Sequence, residues 1–148
     1  GDFVTMDFGA MYAGDCSDMT RTVAVGQPSD KMKDVYAIVL EAQQLAMQLI
    51  KPGVSCKAID AAARGHIAAK GFGDHFGHGL GHSLGLHIHE EPRFSPACEA
   101  VTEVGHCMSV EPGIYLPGEF GVRIEDIVCI TPNGFSNFTA SPKELIIL

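Results

Sequence analysis

No basic stripe runs through this chain. Ten lysines and arginines stand against eighteen aspartates and glutamates, for a formal net charge of -8 and a pI near 5.2. Without clustered cations a protein cannot neutralise a phosphate backbone, so a nucleic-acid partner is not expected. Cysteine supplies no framework either. The five thiols, Cys16, Cys56, Cys98, Cys107 and Cys129, are odd in number, scattered and never spaced C-x-x-C. That fits neither a disulfide scaffold nor a thiolate zinc site, and reads as reduced side chains packed as small apolar groups in a cytoplasmic protein. No secretory signal, membrane-spanning run, low-complexity tract or strong internal repeat is legible, so no membrane partner is expected. The chain opens on Gly1-Asp2-Phe3 rather than on an initiator methionine, from which a piece of a longer protein is expected.

What is present suits one soluble domain: 148 residues, 46% of them apolar, can bury a substantial core. Carboxylates in excess suit a site that gathers cations. Two bound divalent ions would carry four positive charges and take the formal total from -8 to -4.

Most of the histidine lies in one place. Between Gly77 and Pro92, His78, His82, His87 and His89 are interleaved with Gly77, Gly79, Gly81 and Gly85. Glycine beside histidine lets the backbone bend or approach closely while imidazoles converge. The stretch alone fits a metal or reaction site and a glycine-rich surface loop equally well.

Two hairpins flank it. Residues 3–12 and 16–25 read as strands joined through Ala13-Gly14-Asp15. A pairing centre at Tyr12/Ala13 sets Asp7 opposite Asp18, and like charges facing across a ladder are destabilising unless a cation separates them. Residues 107–111 and 121–130 read as a second pair, and a connection centred on Gly118 sets Glu111 opposite Glu125. Each residue also has a plain reading as a strand-end or solvated carboxylate. A helix is expected from an N-cap at Ser29 to about Ile50, with Met32, Val35, Val39, Ala42, Ala46 and Leu49 inward. A second runs from Ser55 to near Gly71, with Ile59, Ala62, Ala63 and Ile67 inward; His66 on it reads as a packing or surface histidine. Residues 92–96 read as irregular, and Leu145–Leu148 as a short strand packed into the sheet.

Taken together, Asp7, Asp18, His82, Glu111 and Glu125 make an oxygen-rich set with one imidazole, suited to hard or borderline divalent ions. On the strength of Met6-Asp7-Phe8-Gly9, Ser17-Asp18-Met19-Thr20-Arg21-Thr22, Gly77-His78-Gly79-Leu80-Gly81-His82, Val110-Glu111-Pro112-Gly113 and Arg123-Ile124-Glu125-Asp126, the chain resembles the pita-bread metallopeptidases. Within that family it is more similar to the Xaa-Pro aminopeptidase and prolidase branch than to the methionine aminopeptidases.

The resemblance implies an α+β pita-bread fold, with a curved antiparallel sheet and helices on its outer face. By it, residues 1–148 form the C-terminal portion of a metallopeptidase catalytic domain. It further implies two divalent ions, Mn2+ first and Co2+ or Zn2+ as alternatives, with Asp7 on one, His82 and Glu111 on the other, and Asp18 and Glu125 bridging. The implied reaction removes the residue preceding proline from a peptide substrate, with Glu111 as proton carrier, His78 and His89 touching the substrate, and Arg123 steadying a metal carboxylate. Its rivals are a methionine aminopeptidase and a binding module that keeps the fold without hydrolysis. His75, His87 and His106 receive no role. A chain of this extent is expected to be a poor enzyme by itself, with a sheet edge open to self-association, and a homodimer is among the assemblies allowed.

Overall fold

The computed structural model describes residues 1–148. The first hairpin forms as strands β1 (Asp2–Phe8), β2 (Met11–Tyr12), β3 (Asp15–Cys16) and β4 (Met19–Val25). Its turn is Ala13-Gly14, both at positive φ (52° and 99°), the two-residue connection whose twist matches that of the flanking strands. That centre corrects the expected register. Asp7 faces Thr20, and Phe8 faces Met19, so Asp18 lies just before β4 rather than across from Asp7. A slip of two residues keeps every side chain on its own face, and Asp7 and Asp18 remain neighbours along a diagonal.

Two helices follow, as expected. In α1 (Asp30–Met47) the Ser29 hydroxyl accepts from Met32 N at 3.3 Å, and in α2 (Cys56–Ala69) Ser55 accepts from Ala58 N at 3.3 Å. Met32, Val35, Val39, Ala42 and Ala46 are buried. Leu49 is not: the helix has ended, and Ile50 takes the inward position as the chain turns. Gln43 is fully buried on the same helix, which the apolar stripe did not anticipate.

The remaining strands are β5 (Gly81–Ser83), β6 (Glu90–Phe94), β7 (Cys107–Val110), β8 (Gly113–Leu116), β9 (Phe120–Arg123), β10 (Asp126–Thr131) and β11 (Gly134–Asn137). Five of them form an antiparallel sheet in the order β11-β10-β7-β5-β6. Strand β6 includes Pro92, where irregular chain was expected; as the last strand of its sheet it tolerates a residue with no N–H. The expected strand 107–111 ends at Val110 and is followed by the further strand β8, and the expected strand 121–130 is broken in two at residues 124–125. Across the break one register persists, Val110 facing Asp126 and Gly113 facing Arg123. Glu111 and Glu125 therefore stand opposite one another in the gap between the two ladders, as the hairpin centre at Gly118 requires. The C-terminal residues run beside β4 as a single parallel bridge, Leu148 N donating to Ala24 O at 2.8 Å, while Ile146, Ile147 and Leu148 stay exposed.

Alternation sets the layers. Met108, Val110, Val122, Ile124, Val128 and Ile130 pack with Val35, Val39, Ile59 and Ile67 of the helices in one apolar cluster. The odd-numbered neighbours Ser109, Glu111, Arg123 and Glu125 are thereby turned to the other side of the sheet. No helix is long and apolar enough to cross a membrane.

Candidate metal centre

On the face away from the helices, four segments converge. Glu125 is tied to β4 twice: its backbone N donates to Thr20 O at 3.0 Å, and its Oε2 accepts from Thr20 Oγ1 at 2.6 Å. Its Oε1 is buried and has no hydrogen-bond partner. Glu111 is fixed from β5 and β7. Its backbone N donates to Leu80 O at 2.8 Å, and Oε1 accepts from Ser109 Oγ at 2.9 Å. The same serine oxygen accepts from His82 N at 2.9 Å, so one hydroxyl positions both groups. This closeness of β5 to β7 needs glycine at 81, where a Cβ would lie 2.0 Å from Ser109 O.

His82 donates from Nδ1 to its neighbour's carbonyl, Ser83 O, at 3.1 Å, which leaves Nε2 facing the carboxylates. Nε2 lies 3.2 Å from Glu111 Oε1 and 3.9 Å from Asp18 Oδ2. Ligand atoms of Asp18, His82 and Glu125 all fall within 4.8 Å of one another. Asp7 joins from β1, its Oδ2 held by Arg123 Nη2 at 2.5 Å. The five residues singled out from sequence are thus gathered in one place.

The electrostatics are those of anions with too few partners. Burial, then the Glu111 charge, pushes Glu125 up to about 8. Burial and the Asp7 carboxylate likewise raise Asp18. Burial acts the same way on Glu111, but hydrogen bonds from His82 and Ser109 outweigh it and the net shift is downward. For His82 burial disfavours the charged ring, yet its bond to Glu111 carries the net shift upward. Four carboxylates and an imidazole, with one carboxylate oxygen buried and orphaned, are a donor set that divalent cations fit. The imidazole even has the arrangement usual for a ligand, its second nitrogen donating to a backbone carbonyl.

Arg123, expected to steady a metal carboxylate, has its guanidinium on Asp7, and donates from Nε to Thr20 Oγ1 at 3.2 Å and from Nη1 to Tyr115 Oη at 3.0 Å. Beside Glu125 and Asp126 stands Arg21, donating to Glu125 O at 2.5 Å and Asp126 Oδ1 at 2.8 Å. His78 is bonded at both ring nitrogens, Nδ1 to Gly79 O at 2.7 Å and Nε2 to Tyr115 Oη at 2.8 Å. His89 is exposed and meets His82 edge-on, with ring centroids 4.4 Å apart.

Sequence reasoning missed Thr20, Ser109 and Tyr115, whose hydroxyls do this connecting work; nothing in their local pattern marks them. It also missed Asp60 and Arg64, although their i,i+4 spacing on a helix was visible. Buried Asp60 accepts from Leu80 N at 3.0 Å, and Arg64 donates to Asp60, Phe76 O and His78 O, which fastens the glycine-histidine segment to α2. Two cavities open on the site. One, of about 380 Å3, has no apolar lining and includes Asp7, His82, His89, Glu111 and Arg93; the other, of about 470 Å3, adds Phe8, Met11 and Ile88 and shares Asp7 and His89.

The profile of metallopeptidase family M24 matches residues 1–132. The chain belongs to that family. Among family M24 relatives it is 58% identical, over its full length, to the uncharacterized peptidase YqhT of Bacillus subtilis (strain 168), of which it covers 42%. An Xaa-Pro dipeptidase from Bacillus anthracis superposes with a TM-score of 0.97 at 54% identity, over 99% of this chain and 41% of that one. An X-Pro aminopeptidase from Thermotoga maritima MSB8 does so with a TM-score of 0.96 at 43% identity, over 99% and 42%. The chain spans about two fifths of the length of these M24 relatives, and its fold is the pita-bread fold expected from sequence.

Proposed function

We propose that this chain carries the metal-holding and catalytic side chains of an Xaa-Pro dipeptidase or aminopeptidase, as the C-terminal portion of its catalytic domain. The observation that supports this most is the buried, unpartnered oxygen of Glu125, set among Asp18, His82 and three further charged site residues in a member of a metallopeptidase family. The names of the relatives support the preference for proline in second position.

Asp7, Asp18, His82, Glu111 and Glu125 would hold two divalent ions, Mn2+ or else Co2+ or Zn2+, which when bound lower the pKa of a water and polarise the scissile carbonyl. Glu111 is the proton carrier. Its carboxyl titrates below the usual range, so at neutral pH it is ionised and able to take a proton and return it to the departing nitrogen. His89 stands free where the polar and half-apolar cavities meet, placed to touch a peptide spanning both. His78 reaches a substrate only by exchanging its bond to Tyr115. Arg123 keeps Asp7 turned inward. Its charge, raised further in pKa by Tyr115 despite burial, persists at every working pH.

The test is hydrolysis of Ala-Pro and longer Xaa-Pro peptides in Mn(II) by the full-length parent of this chain, against Met-Ala as comparator. The wild-type protein is expected to prefer the proline peptides, and Asp18→Asn to lose activity by at least about a hundredfold. Equal rates for the two proteins would end the proposal, and a preference for Met-Ala would move it to the methionine branch.

A further inference from the structure

The inward stripe of α1 contains one residue foreign to an apolar interior. Gln43 is fully buried, its Nε2 donating to Val110 O at 3.1 Å and to Ile124 O at 3.4 Å, while its Oε1 has no partner. A buried amide with an unsatisfied oxygen costs free energy that an apolar side chain of the same shape would avoid. Packing therefore does not explain it.

Its two acceptors do. Val110 and Ile124 immediately precede Glu111 and Glu125, and residues 111–112 and 124–125 lie outside every regular strand, in the break between the two ladders. The sheet's own hydrogen bonding thins there to one long backbone bond, Ile124 N donating to Pro112 O at 3.5 Å, where the two carboxylates must be placed most closely. Gln43 reaches through from the helix side and bonds both backbones at once.

We propose that Gln43 is a positioning residue of the metal centre, its amide fixing the separation of the two chain segments that present Glu111 and Glu125 to shared ions. This rests on the reading of those two as metal carboxylates. Partners one bond removed from a metal ligand change affinity by about tenfold to a hundredfold when lost.

Calorimetric titration of the intact protein with Mn(II) tests it, comparing wild type, Gln43→Met and Val39→Ala. Val39 is fully buried on the same helix and its side chain has no hydrogen-bonding group, so its truncation measures simple loss of packing. Gln43→Met is expected to bind Mn(II) at least about tenfold more weakly, with Val39→Ala at wild-type affinity although less stable in EDTA. Wild-type affinity in Gln43→Met, or equal weakening in both variants, overturns the inference while leaving the metal reading intact. Absence of binding by wild type overturns both. Should Gln43→Met fail to fold, the wild-type protein still decides: the side-chain amide resonances of Gln43 are expected to shift when Zn(II) is added, with those of exposed Gln44 and Gln48 unmoved. Gln43 resonances that stay in place overturn it.

Discussion

At the scale of single residues the site is governed by Glu125. Its carboxyl is pushed up to about 8 by burial and the Glu111 charge, against an unfolded value near 4.5. A carboxylate raised on folding contributes stability below its unfolded pKa and loses it as pH rises through the folded one, because the native state holds the extra proton between them. Asp18 and His82, also raised, act in the same sense. Glu111, lowered, opposes them by losing stability only as pH falls. The thermal midpoint in EDTA is therefore expected to fall between pH 5 and 8.5, and Mn(II) to cancel that fall, since binding displaces the proton. A midpoint in EDTA that is flat or rises over this range would contradict the assignment. Thr20 matters for a related reason, as its hydroxyl donates to Glu125 and accepts from Arg123. Thr20→Val keeps the shape and removes both bonds, and Mn(II) titration is expected to show roughly tenfold weaker binding in a protein that still folds.

At the scale of elements, position is set by fastenings between segments distant in sequence. The strongest runs from α2 to the glycine-histidine segment. Arg64 holds the buried carboxylate of Asp60 and two carbonyls of that segment. Arg64→Met strands the carboxylate inside the protein, for which a loss of about 3–5 kcal/mol in urea unfolding is expected; a change within about 0.5 kcal/mol would show that the pair is incidental. Elements of this kind were only partly legible beforehand. The second hairpin could be registered from Pro117-Gly118 because its turn lies where the glycine suggests, and Glu111 and Glu125 fall opposite as a result. The first could not, since the two left-handed residues are Ala13 and Gly14, and alanine carries no turn signal. The ligand candidates survived the error only because a two-residue slip conserves the face. Strand β6 was hidden by Pro92, which is permitted by its edge position, a property of the sheet and not of the local sequence. Gln43 was hidden because its acceptors are backbone carbonyls about seventy residues away and more.

At the scale of the whole molecule, an acidic chain builds an apolar layer of two helices against one side of a sheet and collects carboxylates on the other. The net charge of -8 is then partly local: four of the acids crowd one centre, where Arg123 holds Asp7. Such an arrangement is self-repelling without cations, and on the proposed reading that repulsion would make the site select for them. The pita-bread fold supplies the scaffold, but function rests on this cluster and not on the fold. Diffraction from crystals grown in Mn(II), recorded at the manganese absorption edge, addresses the cluster directly. Two anomalous peaks enclosed by Asp7, Asp18, His82, Glu111 and Glu125 are expected; no peak among those side chains, or manganese bound only elsewhere, would contradict the account.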